Sequence, residues 1–104
     1  DQPIGMISAY ASEEGGEKIA HIIGVFVLQQ FRGRGIGKEL FSAVLEKIKQ
    51  DSDIKKVVLS VNKEQIPAVR MYQQFGFQIT GEKLQLLGDG EEHLEYEMEL
   101  GLDE

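Results

Sequence analysis

The strongest constraint on this chain is a junction. An apolar, β-branched run, Lys18 to Leu28, ends just before Phe31-Arg32-Gly33-Arg34-Gly35-Ile36-Gly37-Lys38-Glu39-Leu40. From there Ile36, Leu40, Phe41, Val44, Leu45 and Ile48 recur at helical spacing, with Lys, Glu and Gln between them. A strand therefore feeds a helix, predicted from about Gly35 to Gln50, through a loop of glycines and cations.

The other segments fit the same alternation. Ile4 to Ala11 reads as a strand, and Ser12 to Glu17 as a polar turn that makes a hairpin with the run at Lys18. Asp51-Ser52-Asp53 breaks the helical pattern. Val57 to Val61, within a strand from Lys55, is a short continuous apolar run of the kind a buried central strand has. Pro67 suits a first helical turn, Ala68, Met71, Tyr72 and Phe75 form one face, and Gly76 is a natural stop. Phe77 to Leu87 and His93 to Leu100 read as strands joined through Gly88-Asp89-Gly90. The order is β-β-α-β-α-β-β, a mixed-sheet α/β domain. A length of 104 residues makes it one domain, 1–104.

The junction has a chemistry. A helix start leaves four N–H groups without intrahelical partners and carries about half a positive charge. Glycines let a ligand approach that backbone, and Arg32, Arg34 and Lys38 add charge. Together they suit a phosphate or pyrophosphate; a plain Gly-rich turn with solvated cations remains the alternative. A P-loop is excluded because Gly37-Lys38 is followed by Glu39 and its first glycine would be Arg32. A dinucleotide fingerprint is excluded because its last glycine would be Lys38 or Leu40. A net charge of −7 argues against a general nucleic-acid binder. No apolar run approaches a membrane span. The lack of cysteine removes disulfides, thiolate metal sites and a cysteine nucleophile, and fits a reducing cytoplasm. With two histidines besides, no metal site is expected.

Arg32-x-x-Gly35-x-Gly37, placed between such a strand and such a helix, resembles the signature of the GNAT N-acetyltransferases. A second block, Asn62 to Phe77, is similar to the family's Asn-x-x-Ala-x-x-Leu-Tyr-x-x-x-Gly-Phe. The resemblance implies a GNAT fold in which acetyl-CoA lies in a V between the strands Lys18–Leu28 and Lys55–Val61. Main-chain groups of Val25, Phe26 and Val27 would then hold the pantetheine arm and polarise the thioester carbonyl. Arg32, Gly33, Arg34, Gly35, Ile36, Gly37 and Lys38 would hold the pyrophosphate. The family's Asn, three residues before Ala68, is Gln65 here, with Asn62 nearby; both are candidates for cofactor contact.

The resemblance also places Tyr72 near the CoA sulfur, where a phenol with a pKa of about 10 can protonate a departing thiolate. Without the motif, Tyr72 is a core aromatic of an amphipathic helix. His21, six residues before Val27, stands where some members carry a general base; imidazole, with a pKa of about 6.5, suits an amine that must lose a proton. It reads equally well as an ordinary strand histidine. The family has a first strand, one or two helices and a second strand before the part that matches here. The chain is thus expected to be the C-terminal two-thirds of the domain, N-terminally truncated or completed by another chain, with an exposed edge that favours homodimerisation or strand exchange. The implied function is acetyl transfer from acetyl-CoA to a primary amine by direct attack. The alternatives are a non-catalytic acyl-CoA-binding regulatory module and a fragment without ligand.

Overall fold

The computed structural model describes residues 5–27, 35–86 and 90–102. Five strands and two helices follow in the expected order: β1 (Gly5–Glu14), β2 (Glu17–Val27), α1 (Ile36–Lys49), β3 (Ile54–Asn62), α2 (Ile66–Gln74), β4 (Gln78–Leu86) and β5 (Glu92–Gly101). They form one mixed sheet, ordered β1-β2-β3-β5-β4. β2 and β3 are parallel neighbours, and every other pairing is antiparallel. Among the described residues no helix is long and apolar enough to cross a membrane.

Two boundaries differ from the sequence reading. β1 runs on through Ser12, Glu13 and Glu14, so the polar turn shrinks to Gly15-Gly16, both at positive φ. The ladder with Glu17 to Ile19 holds those polar residues in the strand, although none supplies an apolar signal. β3 likewise starts one residue earlier, at Ile54, which pairs with Lys18 of β2.

Both helices contribute to a single core. Ala20 and Ile22 of β2, Val57, Leu59 and Val61 of β3, and Met98 of β5 pack with Phe41, Leu45, Val69 and Tyr72. Phe41 is fully buried and touches Tyr72, Phe75 and Phe77 at ring-centroid distances of 5.0, 5.0 and 5.6 Å. Burying one such ring stabilises the fold by about 1.5–3 kcal/mol. Lys47 and Lys49 sit in the last turn of α1, where cations oppose the helix dipole. α2 ends as Gly76 predicts. Gly76 takes φ 100°, its N–H donates to the Gln73 carbonyl at 3.0 Å, and Phe77 N–H donates to the Tyr72 carbonyl at 3.1 Å. This pair of bonds is the Schellman motif.

Candidate active site

The parallel pair opens at its C-terminal end. Registered pairing of β2 with β3 runs to Ile22 opposite Leu59 and stops, while β2 continues to Val27 and β3 to Asn62. At the same point β2 carries a bulge. Ala9 of β1 faces Ile22 and Ser8 faces Gly24, so Ile23 is an extra residue. Beyond it β2 keeps β1 as partner, but its other edge has no registered partner in β3. Buried backbone groups require partners. An extended ligand carrying amides can supply them there, and this is where Val25, Phe26 and Val27 lie.

The next described element after β2 is the helix start. Gly35 is the N-cap of α1 in the left-handed conformation, φ 76° and ψ 6°, and no side chain caps the helix. The first intrahelical bond is Glu39 N–H to the Gly35 carbonyl at 3.0 Å. The amides of Ile36, Gly37 and Lys38 therefore precede the helix's own bonding pattern. A Cβ added at Gly35 would meet nothing within 4 Å, so the glycine serves the backbone angle and the space beside it is open. Lys38 is exposed. Such a start suits an anion of the CoA pyrophosphate type. Arg32, Gly33 and Arg34 lie outside the described residues.

Tyr72 occupies the core side of the sheet. Its ring is 6% exposed and packs on Phe41 and, at 6.2 Å, on Phe77. Its hydroxyl makes no hydrogen bond to a described residue. No side-chain nitrogen or oxygen among these residues is both buried and unpartnered. Burial raises the phenol above its ordinary value, which keeps it protonated. The arrangement is a rigid ring presenting a proton donor.

His21 faces the other way. It is one residue from Ala20 and Ile22, which enter the core, so strand alternation sends it to the opposite face. There it lines an open cleft of about 350 Å³ with Tyr10, Ile23, Val58, Ser60, Lys83 and Glu95 among its walls. Tyr10 stacks on its ring at 4.6 Å, 5° from parallel. Ser12 Oγ lies 2.7 Å from Nε2, and Glu14 Oε2 lies 3.5 Å from it. The sheet thus separates His21 from Tyr72, and His21 stands one residue before the last registered pair of β2 with β3.

The remaining candidates fall at the β3–α2 junction. Gln65 is the exposed N-cap of α2 and makes no side-chain cap bond. Asn62 is engaged locally: its Oδ1 accepts from Glu64 N–H at 2.8 Å, and its Nδ2 lies 3.4 Å from His93 Nδ1. Glu95 was expected from the sequence only as one of several acidic residues near the closing hairpin that could attract a cationic amine; Tyr10, Ser60 and Lys83 on the cleft, and Ser12 and Glu14 against His21, were not anticipated. Together they come from four strands without a linear motif; only the alternation outward from His21 and the strand registers could have gathered them.

The "Acetyltransferase (GNAT) family" profile matches residues 1–77. Over 57 residues, 55% of the chain and 38% of the relative, the chain is 35% identical to a spermine/spermidine N(1)-acetyltransferase of Bacillus subtilis (strain 168). It is 31% identical over 75 residues, 72% of the chain and 45% of the relative, to an N-alpha-acetyltransferase of Sulfurisphaera tokodaii. The chain thus spans less than half the length of these relatives. Among solved structures, the NatC complex bound to Gag peptide and CoA aligns with a TM-score of 0.88 at 20% identity, over 97% of this chain and 62% of that one. At that identity the likeness concerns the fold alone. With the profile covering most of its length, the chain belongs to the GNAT acetyltransferase family.

Proposed function

We propose that this domain binds acetyl-CoA and transfers its acetyl group to a primary amine by direct attack. The observation that carries the reading is the β2–β3 pair that parts at Ile22 and Leu59, with β2 followed in the chain by an α1 start that no described side chain caps. The free edge of β2 suits the amides of a pantetheine arm, and the helix start suits its pyrophosphate. CoA in the NatC structure and the acetyltransferase names of the relatives support the same reading.

Acetyl-CoA supplies the activated acetyl group. The main chain at Val27 would stabilise negative charge on the thioester oxygen as it develops. Tyr72 would give its proton to the departing thiolate. His21 would take a proton from the acceptor ammonium, freeing the nitrogen lone pair for attack. Glu14 and Glu95 beside the cleft favour a cationic acceptor.

The test is thiol release from acetyl-CoA by the full chain across amines, with polyamines and peptide N-termini as two arms. Acetyl-CoA-dependent turnover with one arm supports the reading. A thermal shift with acetyl-CoA and no turnover with any amine would favour the non-catalytic binding module.

A further inference from the structure

Two side chains, Ser12 and Glu14, meet at one nitrogen of His21, and the direction of the Ser12 hydroxyl decides which ring nitrogen carries hydrogen. Ser12 Oγ is 2.7 Å from Nε2, Ser12 Oγ donates to Glu14 Oε2 at 3.3 Å, and Glu14 Oε2 is 3.5 Å from Nε2. A carboxylate only accepts, and a serine has one proton to donate. If Ser12 gives that proton to Glu14, its oxygen can only accept from the imidazole. Nε2 must then carry hydrogen. With Nε2 bare, a carboxylate oxygen and a ring lone pair would face each other with one serine proton between them. Tyr10, stacked on the ring, limits its tilt.

We propose that Ser12 and Glu14 are positioning residues for His21, holding Nε2 protonated so that Nδ1 is the base that receives the acceptor amine's proton. This rests on the acetyltransferase reading above. In the step, one N–H bond of the acceptor ammonium breaks and its proton joins the Nδ1 lone pair. The nitrogen keeps the electron pair and attacks the carbonyl carbon. The resulting imidazolium keeps its Nε2–H bond to Ser12, with the Glu14 carboxylate nearby, so nothing in the network need turn over. The proton then leaves to solvent from Nδ1. The other polar groups on the cleft are Ser60 of β3, Lys83 of β4 and Glu95 of β5. None of these has a hydrogen bond to His21 among the described residues.

The experiment has two readouts on the full chain. Long-range proton–nitrogen correlation of histidine-labelled protein reports the tautomer without reference to activity. His21 should be Nε2-protonated when neutral, and Ser12→Ala with Glu14→Gln should move its nitrogen shifts toward tautomer averaging. A wild-type Nδ1–H tautomer overturns the proposal. The second readout is a kinetic cycle. Ser12→Ala should lower kcat about tenfold with acetyl-CoA affinity unchanged, and Ser12→Thr should restore most of it. In a His21→Ala background, Ser12→Ala should change nothing further. An equal loss in that background means Ser12 acts by another route and overturns the proposal. Wild-type kcat in His21→Ala alone rejects the histidine as base, while the tautomer readout still stands for the network.

Discussion

Tyr72→Phe separates the chemical role of one oxygen from the packing role of one ring. The ring fills the core beside Phe41 and Phe77, and the variant keeps it. The hydroxyl has no bond to a described residue, so its removal should cost about 0.5 kcal/mol of stability or less. If the hydroxyl protonates the CoA thiolate, the rate loss should be about 10²–10⁴-fold, roughly 3–5 kcal/mol of barrier. Tyr72→Ala is the contrast. It removes the ring as well and should cost about 3–5 kcal/mol of stability, much of what a domain of this size has. The assay is thiol release with a good amine acceptor, at a pH where chemistry limits the rate, beside thermal melts with and without acetyl-CoA. Tyr72→Phe with wild-type kcat would return the residue to the core and remove it from the mechanism. The same variant carries a pH signature. Burial raises the folded-state phenol above its unfolded value. The protonated form therefore contributes stability that is complete below pH of about 10 and is lost as pH rises through the raised value. Tyr72→Phe should lose less stability than wild type on the alkaline side.

Asp51 is held below its ordinary value first by the Lys18 ammonium at 2.6 Å and then by Asp53 N–H. Its stabilising share is present above the unfolded carboxylate range and lost as pH falls through the lowered value, so urea titrations of wild type and Asp51→Asn should converge in acid. Gly35→Ala should cost about 1–2 kcal/mol in thermal melts, because φ 76° strains a Cβ even in open space; Gly35→Asn should cost less. Gly35→Val should also abolish the acetyl-CoA stabilisation, about 2.7 kcal/mol at a hundred times Kd; full retention in a folded protein would reject the backbone cradle. Phe41→Ala should cost about 3–5 kcal/mol and lower kcat along with stability, since it removes the neighbour that holds Tyr72.

Element order was legible in the sequence because burial writes itself as period. Phe41, Leu45 and Ile48 mark one helix face, Val57, Leu59 and Val61 one strand face, and Gly76 a stop. The ends of β1 and β3 were not. Ser12 to Glu14 of β1, and Ile54 and Asn62 at the two ends of β3, are held by ladder pairing with neighbouring strands that leaves no mark in the pattern. The candidate site was half legible. Tyr72 and the glycine loop sit in linear motifs. The His21 network does not, because its members meet across a hairpin, in the register that the Gly15-Gly16 turn sets ahead of the bulge at Ile23. Ser12 and Glu14 therefore looked like turn residues.

That bulge also sets a rule about chain length. Up to Ile22, paired positions of β1 and β2 sum to one constant; from Gly24 on they sum to one more. Parity along β2 is thereby inverted. Even-numbered Ala20 and Ile22 belong to the core, yet odd-numbered Val25 takes the position opposite Ile7, which packs against that same core. Ile23 acts as a phase shifter, joining a stretch that presents His21 outward to one whose backbone has the opposite phase. Substitutions along the stretch change one contact each. A single deletion or insertion between His21 and Val27 would put the base and the free strand edge out of step together. Variation in this segment should be tolerated in residue identity and refused in residue number.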